Sequence, residues 1–214
     1  MSKPSVAHLV CGGPDLWLPK SSDGLIIGVD RGALQLLQRG IHFDVALGDF
    51  DSVTRSELEM IEQNVVKMIK LPEEKDVTDC EAAVEYAVEN GCTEIYLYGT
   101  TGGRLDHLYA TTALMLKYAK KGIEIFVEDR LNKIFVLMPS ACTPHQIRMM
   151  DKKYISFFAL EETVSSLTID HVKYPLTCYD LQVDDTLCVS NEATCKQVIV
   201  NFSKGHLLVI QSSD

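Results

Sequence analysis

The chain has 214 residues, is 46% hydrophobic and 23% charged, and carries a net charge of −10, which excludes a disordered chain and allows one large domain or two modest ones. No run of Lys and Arg recurs with interleaved aromatics, so a nucleic-acid footprint is missing, and no apolar stretch reaches the roughly 18 residues of a membrane span. The acidic balance suits a small cationic partner, and a start that leads straight into a strand-like segment makes a cytoplasmic location the expectation.

From the N-terminus to about residue 138, short apolar runs alternate with helical segments, the rhythm of a parallel sheet. The runs cover 8–11, 25–29, 45–47, 66–71, 94–98 and 123–127. Between them, Thr54 with Glu57 and Thr78 with Glu81 have capping-box spacing. Gly40, Gly91 and Gly122 fall where helix C-caps belong. The best helix spans 105–121, with Leu105, Leu108, Thr112, Met115, Leu116 and Ala119 as its apolar stripe and Lys117, Lys120 and Lys121 at the end that favours cations. After Met138-Pro139 the pattern becomes short alternating segments, 146–149, 154–158, 164–169, 186–189, 197–202 and 207–211, with no helical periodicity. The expected fold class is therefore α/β: a Rossmann-like parallel-sheet domain over 1–138, followed by an all-β sandwich over 139–214. Seven widely spaced cysteines without a Cys-x-x-Cys read as reduced core residues rather than a disulfide frame or zinc site.

Four motifs directly follow strand-like runs: Asp30-Arg31-Gly32, Gly48-Asp49-Phe50-Asp51-Ser52, Asp76-Val77-Thr78-Asp79 and Gly102-Gly103-Arg104-Leu105-Asp106-His107. In a parallel sheet they gather at the carboxyl edge, where open α/β folds bind ligands. At an extended strand end Asp49 and Asp51 project to one side while Phe50 enters the core. Two carboxylates about 4 Å apart repel by roughly 4 kcal/mol at an effective dielectric of 20. Adding Asp30 and one of Asp76 or Asp79 demands a counter-charge, and a hard dication such as Mg²⁺, held by carboxylates and phosphates, supplies it. Each Asp alone is explained by a turn or a helix start; their coincidence at several strand ends is not. Gly102, Gly103 and Arg104 open a helix N-terminus that favours phosphate, although no Walker-type loop is present. Asp106 and His107 read as ordering that turn. Ser190-Asn191-Glu192, taken alone, reads as a polar hairpin turn.

Taken in order, Gly48-Asp49-Phe50-Asp51-Ser52, Lys75-Asp76-Val77-Thr78-Asp79, Gly99 through His107, Lys173-Tyr174-Pro175-Leu176 and Ser190-Asn191-Glu192 resemble the thiamine pyrophosphokinases of bacterial type over nearly the whole chain. The resemblance implies an α/β domain and a C-terminal β-sandwich that contributes to thiamine binding and pairs the chain as a homodimer. It implies transfer of the diphosphate of ATP to the hydroxyethyl group of thiamine, giving thiamine diphosphate and AMP. Asp49, Asp51 and Asp79 then resemble the Mg²⁺-holding catalytic acids. Asp30, Asp76, Gly102, Gly103 and Arg104 resemble the nucleotide side of the site, with Arg104 also catalytic. The resemblance further implies that Ser190 and Asn191 reach the vitamin from the partner subunit. Some relatives place an aromatic shortly after the Ser-Asn element; here Glu192-Ala193-Thr194-Cys195 has none, and the sole tryptophan is Trp17. Two other readings remain at this level. One is a haloacid-dehalogenase-like Mg²⁺-dependent phosphatase, because Asp49-Phe50-Asp51-Ser52-Val53 loosely fits a strand-end nucleophile followed by an acid. The other is a non-catalytic nucleotide-binding protein.

Overall fold

A computed structural model of the chain describes residues 5–14, 16–18, 23–140, 142–149 and 151–214. The chain divides into two units, Met1–Asp129 and Arg130–Asp214. The fold is mixed α/β, with a large sheet and a second, antiparallel sheet.

In the first unit, β1 (Val6–Val10), β2 (Leu25–Val29), β3 (Val45–Gly48), β4 (Lys67–Lys70), β5 (Glu94–Tyr98) and β6 (Glu124–Glu128) run parallel in the order β6-β5-β1-β2-β3-β4. All six expected runs are strands, displaced by no more than two residues. Strands covered on both faces lose the alternation of polar and apolar residues, and Ala7, Leu9, Val10, Ile27, Val29, Val45, Ala46, Leu47, Ile95 and Leu97 are accordingly buried. The helices are α1 (Arg31–Gln38), α2 (Arg55–Asn64), α3 (Asp79–Glu89) and α4 (Leu105–Ala119). Leu34 and Leu36 of α1 and Ile61 of α2 pack with Phe43, Phe50 and Tyr98 into one apolar cluster.

The helix ends follow the local chemistry. Thr54 and Glu57 form the complete reciprocal box at the start of α2. At α3 only half of it forms: Thr78 Oγ1 accepts from Glu81 N–H, while the Glu81 carboxylate pairs with Lys117. Gly40, Gly91 and Gly122 all have positive φ, as C-terminal caps require. The expected stripe of α4 is displaced. Its buried residues are Thr111, Leu114, Met115, Tyr118 and Ala119, whereas Leu105 is 79% exposed. A threonine joins the apolar face because its hydroxyl is satisfied within the helix, Thr111 Oγ1 donating to His107 O at 2.8 Å.

In the second unit, β7 (Asn132–Leu137), β9 (Tyr154–Ala159), β12 (Asn191–Glu192) and β14 (Leu207–Ser212) pair antiparallel in the order β12-β9-β14-β7. A second antiparallel sheet has the order β11-β10-β13-β8, from β8 (His145–Arg148), β10 (Thr163–Asp170), β11 (Leu176–Gln182) and β13 (Gln197–Asn201). Three strands, β7, β11 and the two-residue β12, have no counterpart among the expected segments; β12 falls on Asn191-Glu192, which reads as a turn in the sequence. β11 is a sheet-edge strand in which only Leu181 is buried, and its register against β10 shifts where Ser166 and Cys178 adopt positive φ, so its pattern carries no clean alternation. Conversely, 186–189 is not a strand; only Cys188 there is buried, and Leu187 and Val189 are exposed. The cysteines are all free, but Cys142, Cys178 and Cys195 are exposed, so the expectation of core residues holds for Cys92 and Cys188 and fails for those three.

Candidate active site

Two strand ends bring three carboxylates together. β3 stops at Gly48, and Phe50 turns into the left-handed region at φ 61° while its ring stays buried. Asp51 N–H then closes back onto Asp49 Oδ1 at 3.2 Å. The two carboxylates thus meet through a side-chain-capped turn, not through the extended strand end that their spacing suggests. Asp30, next to β2, donates its N–H to Leu47 O and accepts from Ser52 Oγ at 2.6 Å. Ligand oxygens of Asp30, Asp49 and Asp51 lie within 4.8 Å of one another.

A lysine links this group to Asp79. Lys75 Nζ lies 2.7 Å from Asp49 Oδ2 and 3.2 Å from Asp79 Oδ1, with all three side chains largely buried. It also donates to Pro72 O. The electrostatics follow the geometry. Burial pushes Asp49 up, but the Lys75 ammonium and the Asp51 N–H outweigh it and leave its carboxyl below the usual value. Asp51 is raised, mainly by the Asp49 charge, then by desolvation and Asp30. Asp79 is raised by burial, with Lys75 opposing and Asp49 and Asp30 adding to it. Burial alone would lower Lys75, but its two carboxylate partners raise it. Sequence reasoning assigned Lys75 no role; its signal was present as the first residue of the Lys-Asp-x-Thr-Asp motif.

The donor set is all oxygen, and Asp30 Oδ1 is buried with no hydrogen-bond partner among the described residues. A small hard dication fits such a set. Thr100 Oγ1 and Gln35 Oε1 are likewise buried and unpartnered; Gln35 reaches Gly13 O, and Gly13 N–H bonds Gly99 O just beyond β5. Gln35 and Thr100 carry no sequence signal for this.

The other candidates are placed differently. Asp76 is exposed. Gly102, at φ 76°, and Gly103 are exposed beside the α4 N-terminus. Arg104 forks onto Asp106 of the same turn, with Nε 3.1 Å from Oδ1. In the second unit Ser190 is exposed, at φ 57°, with its N–H held by Ser156 Oγ at 2.9 Å. Asn191 is buried.

Comparison with known proteins assigns both halves of the chain. The family model described as "Thiamin pyrophosphokinase, catalytic domain" matches residues 17–127, and the one described as "Thiamin pyrophosphokinase, vitamin B1 binding domain" matches 144–207. The chain is 35% identical over 212 residues to the thiamine pyrophosphokinase of Bacillus subtilis (strain 168), covering 97% of this chain and 98% of that protein. The crystal structure of thiamine pyrophosphokinase from Bacillus subtilis superposes with a TM-score of 0.89, covering 98% of this chain and 99% of that one at 35% identity. A thiamin pyrophosphokinase family protein from Enterococcus faecalis gives 0.88 at 33% identity, covering 98% of this chain and 100% of that one.

Proposed function

The chain belongs to the thiamin pyrophosphokinase family, and from that premise we propose how its residues carry out the family's reaction, transfer of the diphosphate of ATP to thiamine with release of AMP. The observation that carries the proposal is the meeting of Asp30, Asp49 and Asp51 within 4.8 Å, with Lys75 joining Asp49 to Asp79.

Asp49, Asp51 and Asp79 would hold Mg²⁺, with Asp30 beside Asp49 and Asp51 and with Asp79 reached through Lys75. When bound, Mg²⁺ neutralises charge on the phosphate oxygens that the transfer moves. Gly102 and Gly103 leave backbone N–H groups open to phosphate at the α4 N-terminus. Arg104 exchanges its Asp106 partner for a phosphate oxygen, and Asp76 stands on the nucleotide side. The thiamine hydroxyl attacks the β-phosphorus in line; positioning and electrostatics supply most of the rate, as in other phosphoryl transfers. A strong base is not required for such a transfer; where one acts, Asp79 stands ahead of Asp76 as the group that takes the hydroxyl proton. Ser190 and Asn191 belong to the vitamin side, reached from a partner subunit of a homodimer. We assign the Rossmann-like domain to 1–138 and the sandwich that binds thiamine and dimerises to 139–214, a boundary that falls after β7 rather than at the division between Asp129 and Arg130. Among the described residues, no helix is long and apolar enough to cross a membrane, and we place the enzyme in the cytoplasm.

The competing readings are not favoured. A phosphatase nucleophile of that kind closes the first strand of its sheet, whereas Asp49 follows β3, after two earlier strands, and Gly48 precedes it. Incubation with ATP, Mg²⁺ and thiamine tests the proposal: AMP and thiamine diphosphate appear in equal amounts. ATP binding without AMP release refutes it in favour of a nucleotide-binding protein, and a trapped aspartyl-phosphate refutes it in favour of a phosphatase.

A further inference from the structure

Cys11 and Cys80 are neither buried in the core nor fully exposed; both are free thiols with part of their surface open. Cys11 directly follows the last residue of β1, and Cys80 is the second residue of α3, a helix that packs on β1. Far apart in sequence, the two thiols meet in a side-chain hydrogen bond. That bond, then burial, then the nearby charges of Asp79 and Asp30 push the Cys11 thiol well up, so it rests protonated. The diphosphate transfer proposed above uses neither sulfur.

The two sides of the pair differ in their freedom to move. Cys11 N–H donates to Tyr98 O at 2.8 Å; a Cβ on Gly99 would lie 2.3 Å from Cys11 O, and one on Gly32 would lie 1.8 Å from Val10 O. The chain at Cys11 is therefore hemmed in by the end of β5 and the start of α1. The chain entering α3 has no such walls: residues 72–74 and 76–78 are exposed, with Lys75 as the anchor between them. Sulfurs in a covalent bond lie closer than hydrogen-bonded ones, so joining them draws the first turn of α3 toward β1. Asp79 precedes Cys80 and lies 3.2 Å from Lys75 Nζ, so it shifts with Cys80.

We propose that Cys11 and Cys80 are an oxidation site, at which hydrogen peroxide closes a reversible disulfide that displaces Asp79 and stops the diphosphate transfer. One thiol takes an oxygen atom from the peroxide and becomes a sulfenic acid, releasing water; the other thiol attacks that sulfur, forms the S–S bond and releases a second water. Over both steps two thiols give up two electrons and two protons, and the peroxide is reduced to water. A dithiol reverses the change by exchange and leaves as its own disulfide. In a reducing compartment such a bond is transient, which suits a sensor and not a structural staple. Formation of the bond is independent of the thiamine reading; only its effect on turnover rests on it.

The test treats the reduced full-length protein with hydrogen peroxide, quenches it, and divides it between non-reducing peptide mapping, Mg²⁺ titration followed by melting temperature, and initial rates of AMP release. Wild type yields linked peptides whose fragmentation places the bond at Cys80 and Cys11, not at Cys92. Its Mg²⁺ affinity and its turnover each fall about tenfold or more, the low end for disturbing groups that support a metal site, and dithiothreitol restores both. C80A has wild-type turnover before treatment, forms no such link and keeps its rate through it. C11A behaves the same and decides the matter should C80A fold poorly. A wild type in which exposed Cys142 oxidises while Cys11 and Cys80 stay unlinked overturns the proposal. So does a linked protein that keeps its rate and Mg²⁺ affinity, or a loss of rate that C80A and C11A share with wild type. A wild type that links and loses Mg²⁺ affinity, but whose reduced form makes no thiamine diphosphate, upholds the oxidation site and overturns the thiamine reading alone.

Discussion

Between Asp49 and Asp79 the protein carries its own cation: the Lys75 ammonium lies within ion-pair distance of both carboxylates in a largely buried setting. Removing one member of such a pair leaves carboxylates facing one another without compensation, at a cost of about 3 kcal/mol. K75M therefore melts roughly 5–10 °C below wild type in metal-free buffer, and millimolar Mg²⁺ restores part of the loss, because a second cation takes over the neutralisation. Scanning fluorimetry with and without Mg²⁺ reads this directly; an equal Mg²⁺ response in K75M and wild type rules out the substitution of one cation for the other. Asp49 and Asp51 separate by the same logic. Asp51 is repelled by Asp49, so D51N leaves the metal-free melting temperature unchanged or slightly higher, whereas D49N loses its Lys75 contact and melts lower. Both variants lose turnover by about two orders of magnitude or more if these carboxylates hold the metal, which initial rates of AMP release measure.

At the level of elements, the strand ends were legible because apolar runs of a buried parallel sheet stop abruptly at polar, glycine-containing turns; 25–29 and 94–98 coincide with β2 and β5 at both ends. What escaped sequence reasoning depended on distant partners. Glu81 has box spacing but is taken by Lys117 on α4, 36 residues away; β11 is irregular because of bulges against β10; and Asp49 and Asp51 meet through a turn that Phe50 enters with a positive φ, which no period-2 pattern encodes. Gly48 shows how tightly those turns interlock. It has φ 155°, and a Cβ there would lie 3.1 Å from the Asp30 backbone. G48A thus pushes the end of β3 away from Asp30 and weakens Mg²⁺ binding about tenfold, the low end for disturbing groups that support a metal site. A Mg²⁺ titration followed by melting temperature checks it, and an unchanged midpoint shows that the two strand ends are not coupled at this point.

For the whole molecule, the net charge of −10 suggests that mild acid should stabilise by relieving repulsion, but a buried imidazole opposes this. His8, on β1, stacks with Tyr96 and Tyr98 at ring-centroid distances of 5.3 and 5.9 Å, and its Nδ1 is 3.1 Å from the Tyr98 hydroxyl. Burial lowers its pKa below the usual 6.5, although Asp23, Glu128 and Glu94 pull it back upward. The unfolded chain therefore binds this proton more readily than the folded one, so the contribution of His8 is complete above the unfolded value of about 6.5 and is lost as pH falls through the folded one. Asp51 and Asp79, both raised, act in the opposite sense, so the histidine contribution is read as the difference between wild type and His8→Phe. The His8 share of the unfolding free energy from urea titrations declines as pH falls below about 6.5, with a slope of at most about 1.4 kcal/mol per pH unit, the limit for one proton. His8→Phe keeps a ring in the stack while leaving the buried Tyr98 hydroxyl unpaired, so its stability is lower at pH 8 and its pH dependence flatter. If the variant and wild type decline in parallel, the proton is taken up elsewhere in the fold.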